Sequence, residues 1–239
     1  MRKFNRANLA LELVIMIGGL VGMTQKVAAQ DASPIFTVHV NNYAGVDSKT
    51  LAEAEKVAAA IFRSAGVEAH WVTDLGTSGE KIEEILDPKS VGLSHLRLSI
   101  LSPKMASHLS VPNSAMGLAP GRGTDRSTIY VFYGRVEALA QDPANLAAGG
   151  PQFRHVTSGL ILGHVMTHEI GHVLLNLDMH SATGIMRGNW NMNDLLGAVR
   201  GQLVFTTQQA EVIRAEVARR MRQGEDPQTS GLEFASVAR

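Results

Sequence analysis

The sequence predicts an α+β fold: a twisted mixed sheet with a βαβ unit at its start, packed on one central helix and followed by a C-terminal helix. Three observations predict it. Residues 34–73 read as strand, helix, strand, and three further strand patterns, one a short edge, precede residue 134. Val156–Leu175 is then a proline-free run, apolar on nearly every side, as a helix through the middle of a domain must be.

The elements follow in order. Residues 34–46 form a strand in which Phe36, Val38 and Val40 alternate against Thr37 and His39. A helix over Thr50–Ser64 opens with a capping box, Thr50-x-x-Glu53, and stops at Gly66. Val67–Thr73 is the second strand, and the intervening helix makes the two strands parallel with a right-handed crossover. Asp74–Ser90 is polar, with a short helix carrying Ile82 and Leu86. His95–Leu101 sets Leu96, Leu98 and Ile100 against polar neighbours, giving a third strand.

Ala115–Ala119 reads as a short edge strand before a turn at Gly121-Arg122-Gly123. That turn lacks the third glycine, the lysine and the following helix of a phosphate-binding loop. Ser127–Tyr133 (STIYVFY) is rich in β-branched and aromatic residues and is the clearest strand. Gln141–Gln152, with Pro143, Gly149, Gly150 and Pro151, reads as a loop leading to the central helix, whose N-cap is Thr157 or Ser158. Thr206–Met221 is a helix with a second capping box, Thr206-x-x-Gln209, and a stripe of Val212, Ile213 and Val217. Its Arg214, Arg219, Arg220 and Arg222, interleaved with Glu211 and Glu216, read as a solvated face.

Composition bounds the function. The formal net charge of the 239 residues is zero, which gives no electrostatic case for nucleic acid or an anionic membrane. With no cysteine, disulfides, thiolate metal sites and a cysteine nucleophile are excluded. Arg2, Lys3 and Arg6 precede an uncharged apolar run, Leu13–Met23, and Val27-Ala28-Ala29 supplies small residues for cleavage before Gln30. The run is shorter than the roughly 20 residues of a transmembrane helix, so export to the periplasm or medium, without stable membrane association, is expected. The chain therefore divides into a signal peptide (1–29), one catalytic domain (30–223) and a polar C-terminal tail (224–239), and a monomer is expected.

The chemistry concentrates at His168-Glu169-Ile170-Gly171-His172, an HExxH pattern inside the central helix. Residues four apart lie one above the other on a helix, so both imidazoles can face one metal ion. Glu169 stands beside the first ligand, placed to act on water without ligating the metal. This pattern points to zinc-dependent hydrolysis with His168 and His172 as metal ligands and Glu169 as general base. His164 lies on the same face one turn earlier and reads as a buried neighbour of the site, since three successive helical imidazoles do not converge on one ion.

Here the sequence resembles the metzincin group of zinc metallopeptidases, with HExxHxxGxxH and a methionine-containing turn. Leu175 stands where the group has glycine, Asp178 where it has histidine, and His180 follows two residues later; Gly184-Ile185-Met186 is similar to the methionine turn. The third ligand is therefore open between His180 and Asp178, with a glutamate farther on (Glu211 or Glu216) as in gluzincins. Reach favours His180. If Asn176 ends the helix in a left-handed conformation, the chain has moved about 6 Å from His172 along the axis. Four extended residues return about 13 Å, whereas two return about 7 Å.

The resemblance implies a zincin-like fold, one zinc ion, a peptide or protein substrate cleaved as by an endopeptidase, and Met186 as an apolar floor under the metal. It also implies that the edge strand near Met116–Ala119 binds an extended substrate by strand addition. A zinc-binding scaffold without turnover is the competing reading from another class. The intact Glu169 counts against it, because a structural site has no use for that carboxylate.

Overall fold

The computed structural model describes residues 33–74, 94–119, 128–176 and 180–224. The signal segment, the short helix expected within 75–90, the Gly121-Arg122-Gly123 turn, Asp178 and the tail from 225 lie outside the described residues.

The alternation of apolar and polar residues produces β1 (Ile35–Asn42), β2 (Glu68–Asp74) and β3 (His95–Leu101), joined early by α1 (Ser48–Ser64). β1 pairs in parallel with β2 on one side and with β3 on the other, so the βαβ unit forms as expected. β5 (Thr128–Phe132) adds in parallel to β3, and the two-residue β4 (Gly117–Leu118) closes the far edge antiparallel to β5. The sheet order is β2-β1-β3-β5-β4. The protein is thus a mixed α/β fold on a five-stranded, mostly parallel sheet.

The helices α2 (Pro103–Ala106), α3 (Tyr133–Ala140), α4 (Pro143–Ala148), α5 (Gly150–Phe153), α6 (Ser158–Leu175), α7 (Met192–Val199) and α8 (Thr207–Gly224) complete the described chain. The core lies where α1 and α6 meet the sheet face bearing Phe36, Val38, Val40, Leu96, Leu98, Ile100, Ile129 and Val131. Burial of each such side chain contributes about 1.5–3 kcal/mol. The opposite face is polar at its centre, where His39 Nε2 and His95 Nδ1 are 2.9 Å apart.

Four expectations need correction. Helix α1 starts at Ser48, before the predicted capping box, because Asp47 is extended and accepts from the Lys49 and Thr50 N–H groups. Glu53 is thereby released to accept the Thr157 hydroxyl at 2.6 Å, tying α1 to the N-cap of α6. The expected loop Gln141–Gln152 is largely helical. Pro143 sits in the first turn of α4, where its missing N–H costs nothing, and Asp142 caps it.

In α8 the Thr206–Gln209 reciprocal bonds are present, but Val212 is exposed. The buried stripe is Ala210, Ile213, Val217 and Arg220, at helical spacing. Nor are the arginines simply solvated: Arg220 is buried and bonded to Glu216, and Arg214 donates to the Ala65 carbonyl at 2.9 Å. Their stems pack while their guanidinium groups find acceptors.

Helices α1 and α6 approach closely at Gly163, where an added Cβ would lie 2.6 Å from the Ala54 carbonyl oxygen and 2.8 Å from Val57 Cβ. Gly197 in α7 has nothing within 4 Å of the same position. Thermal unfolding should separate them. Gly163→Ala is expected to cost about 1–3 kcal/mol through overpacking. Gly197→Ala is expected to gain about 0.4–1 kcal/mol by restricting the unfolded chain. Equal effects would show that α1 and α6 are not in backbone contact.

Candidate metal centre

Helix α6 begins at Thr157, whose Oγ1 accepts the Leu160 N–H at 3.0 Å, and its buried length carries His164, Thr167, His168 and Glu169. It ends as the sequence requires. Asn176 is left-handed, with φ 51° and ψ 42°, and its N–H donates to the His172 carbonyl. His180 stands beside the two helical imidazoles.

One ligand atom from each of His168, His172 and His180 lies within 4.8 Å of the others. The Nε2 atoms of His168 and His172 are 3.1 Å apart, near the roughly 3.3 Å edge of a tetrahedron with 2.0–2.1 Å metal–nitrogen bonds. The His168 and His180 rings stack at 5.2 Å, and His172 stands edge-on to both. His168 is buried, His172 half-buried and His180 exposed, so the group opens to solvent on one side. This cluster can hold a metal ion. Glu211 is exposed and Glu216 is held by Arg219 and Arg220, so neither joins the histidines.

The surroundings fix the rings. His168 Nδ1–H donates to the Ile185 carbonyl at 2.7 Å, which leaves Nε2 as the lone-pair nitrogen facing its neighbours. Trp190 Nε1–H donates to the same carbonyl at 3.2 Å. Met186 is buried beneath the helix, its Sδ 2.5 Å from where a Cβ on Gly171 would lie, so a larger residue there would have to push the thioether aside. His180 lies on Gly188 in the same way, 2.9 Å from a Cβ there. His164 stays outside the cluster. Its Nδ1 donates to the Leu160 carbonyl at 2.8 Å, its ring meets Trp190 edge-on, and burial lowers its pKa.

Glu169 completes the site from the helix's other flank. Burial pushes its carboxyl up to about 8, opposed by a hydrogen bond from the Ala119 backbone N–H. Burial drives His168 down to about 4, against the bond to Ile185 and with the neighbouring His172 and His180. All four side chains open into one cleft of about 520 Å³, walled by the 116–119 edge on one side and by 187–190 on the other. Sequence reasoning brought His168, Glu169, His172 and His180 together correctly, and it placed the edge strand beside them. It missed Trp190, Gly188 and the Ile185 carbonyl; Gly188 and Trp190, close behind Gly184-Ile185-Met186, were the available signal.

No protein-family model matches the chain, and comparison with curated proteins and with solved structures gives no significant match.

Two expectations follow. Metal analysis of the purified protein should give one ion per chain, lost in His168→Ala and His172→Ala, and His180→Ala should weaken binding far more than Asp178→Ala. Full metal content in both helix variants, or the reverse ranking at 178 and 180, would displace this assignment.

In the metal-free protein, Glu169 stabilises the fold fully below its ordinary value of 4.5, and that contribution drains as pH rises towards 8. His168 contributes fully above its ordinary 6.5 and loses that contribution as pH falls towards 4. Urea unfolding should therefore show Glu169→Gln gaining on the metal-free wild type as pH rises, by several kcal/mol across the Glu169 window. Parallel pH curves would mean the carboxyl is charged throughout.

Proposed function

We propose that the protein is a zinc-dependent peptidase of metzincin-like type, exported to the periplasm or the medium. One observation carries the reading: the buried Glu169 carboxyl shares a single cleft with three converging imidazoles. The donor set supports zinc, since three neutral nitrogen ligands with one side open match a catalytic zinc site. His168, His172 and His180 would hold the ion, and when bound it supplies Lewis acidity towards a carbonyl and towards water. Further support comes from Asn176 and Met186, which stand where the third ligand and the apolar floor of such a site require them.

The chain's own groups do the rest. Glu169 takes the proton from the attacking water and delivers it to the departing amine, so one carboxyl serves as base and then as acid. The edge at β4 offers the backbone groups that its ladder to β5 leaves unused to an extended peptide, laying it across the cleft by strand addition. The opening beside His180 admits the scissile bond from solvent.

Glu169→Gln keeps the side chain's shape and spares the three histidines, so zinc content and fold should survive. Glutamine cannot accept the proton, and cleavage of a quenched peptide library should fall by about 10²–10⁴-fold. Equal turnover in wild type and variant would remove Glu169 from the chemistry. A fully zinc-loaded wild type that cleaves no peptide would favour a zinc-binding scaffold instead.

A further inference from the structure

Strand β4 is the sheet edge and one wall of the cleft. In its antiparallel pairing Gly117 lies opposite Val131 and Leu118 opposite Tyr130, while the Phe132 N–H donates to the Met116 carbonyl at 2.9 Å. Hydrogen-bonded and non-bonded pairs alternate along such a ladder. Met116 and Leu118 therefore turn their backbone groups towards β5, and Gly117 and Ala119 turn theirs away from it, into the cleft.

Both outward positions meet Glu169. The Ala119 N–H donates to its carboxyl. At Gly117 an added Cβ would lie 2.5 Å from Glu169 Cγ, 2.7 Å from Cδ and 2.6 Å from Oε1. Real Cβ atoms do not approach heavy atoms so closely, and here the stem of the glutamate is in the way as well as its tip. Glu169 is only 7% exposed, so it has little room to step aside.

We propose that β4 is the positioning element of Glu169: the Ala119 N–H holds the carboxyl, and the missing side chain at Gly117 makes its seat. The edge strand then serves two purposes. It orients the carboxylate, and it leaves an extended peptide the outward groups of Gly117 but not the Ala119 N–H, which sets where along the edge the peptide pairs. This second purpose rests on the peptidase reading, whereas the seat does not. Gly117 and Ala119 act through Glu169 and are positioning residues.

The test uses the full chain, metal-free and zinc-loaded, with alanine labelled by ¹⁵N. The Ala119 amide should resonate downfield and exchange slowly in wild type, and lose both properties in Glu169→Ala. Gly117→Ala should lower the midpoint of thermal unfolding in the wild-type background and cost nothing once Glu169 is also alanine, because the clash is then gone. An Ala119 amide indifferent to Glu169→Ala, or an equal loss from Gly117→Ala in both backgrounds, would overturn the proposal. If Gly117→Ala does not fold alone, the amide and the folding of the double variant still decide it.

In the zinc-loaded protein Gly117→Ala should retain zinc and KM within about twofold while kcat falls about tenfold or more. An unchanged kcat would overturn the positioning role. A zinc-loaded wild type without any cleavage would overturn the peptidase reading, and the amide and the double variant would still test the seat.

Discussion

A helix buried on nearly every side must satisfy each polar side chain it carries from within the fold, and α6 carries five of them at one end of the core. Thr167 bonds back to the Gly163 carbonyl and His164 to the Leu160 carbonyl, so these two are satisfied inside the helix. Of the other three, two reach outward to separate parts of the chain and one meets its neighbour on the helix. His168 takes the Ile185 carbonyl, Glu169 the Ala119 N–H, and His172 Nε2 lies 3.1 Å from His168 Nε2. An unsatisfied polar group at these depths costs about 1–3 kcal/mol, so the segments that supply partners are tied to the helix. The candidate site is the place where those obligations meet.

That constraint explains the walls of the cleft. The 184–190 segment has to present a carbonyl to His168, and the same carbonyl also takes the Trp190 indole, which stands beside His164 and His168. Met186 fills the space under Gly171, so the segment cannot approach further or withdraw without opening a void. On the other side β4 is only two residues long, too short to be held by its ladder to β5 alone. The Ala119 N–H just beyond it bonds Glu169 and ties the strand to the helix. Sheet edge and helix flank are thus joined at the Glu169 carboxyl.

Burial also sets the charge states. With His168 driven down to about 4 and Glu169 up to about 8, neither group is charged near neutral pH before a cation binds. A cation among the imidazoles would reverse this for Glu169, since an adjacent positive charge favours the carboxylate. Cation binding and ionisation of Glu169 are then a single electrostatic event, and Gly171 and Gly188 keep the space above Met186 and under His180 that the imidazole cluster needs.

Much of this was legible in the sequence because it is local. The two-residue alternation of Phe36, Val38 and Val40 and the apolar run of α6 each encode a face to be buried, and the HExxH spacing encodes one side of a helix. The left-handed turn at Asn176 was equally legible, since few residues tolerate it, and reach alone then returned His180 to the site. Where local signals competed, tertiary context chose: Asp47 took the cap expected of Thr50, leaving Glu53 for Thr157, and α8 turned Arg220 inward and Val212 out. The partners of His168 and Glu169 had no sequence signature at all. They are a backbone carbonyl and a backbone N–H, which every residue except proline offers alike, and only the folded chain decides which of them arrives at the ring and which at the carboxyl.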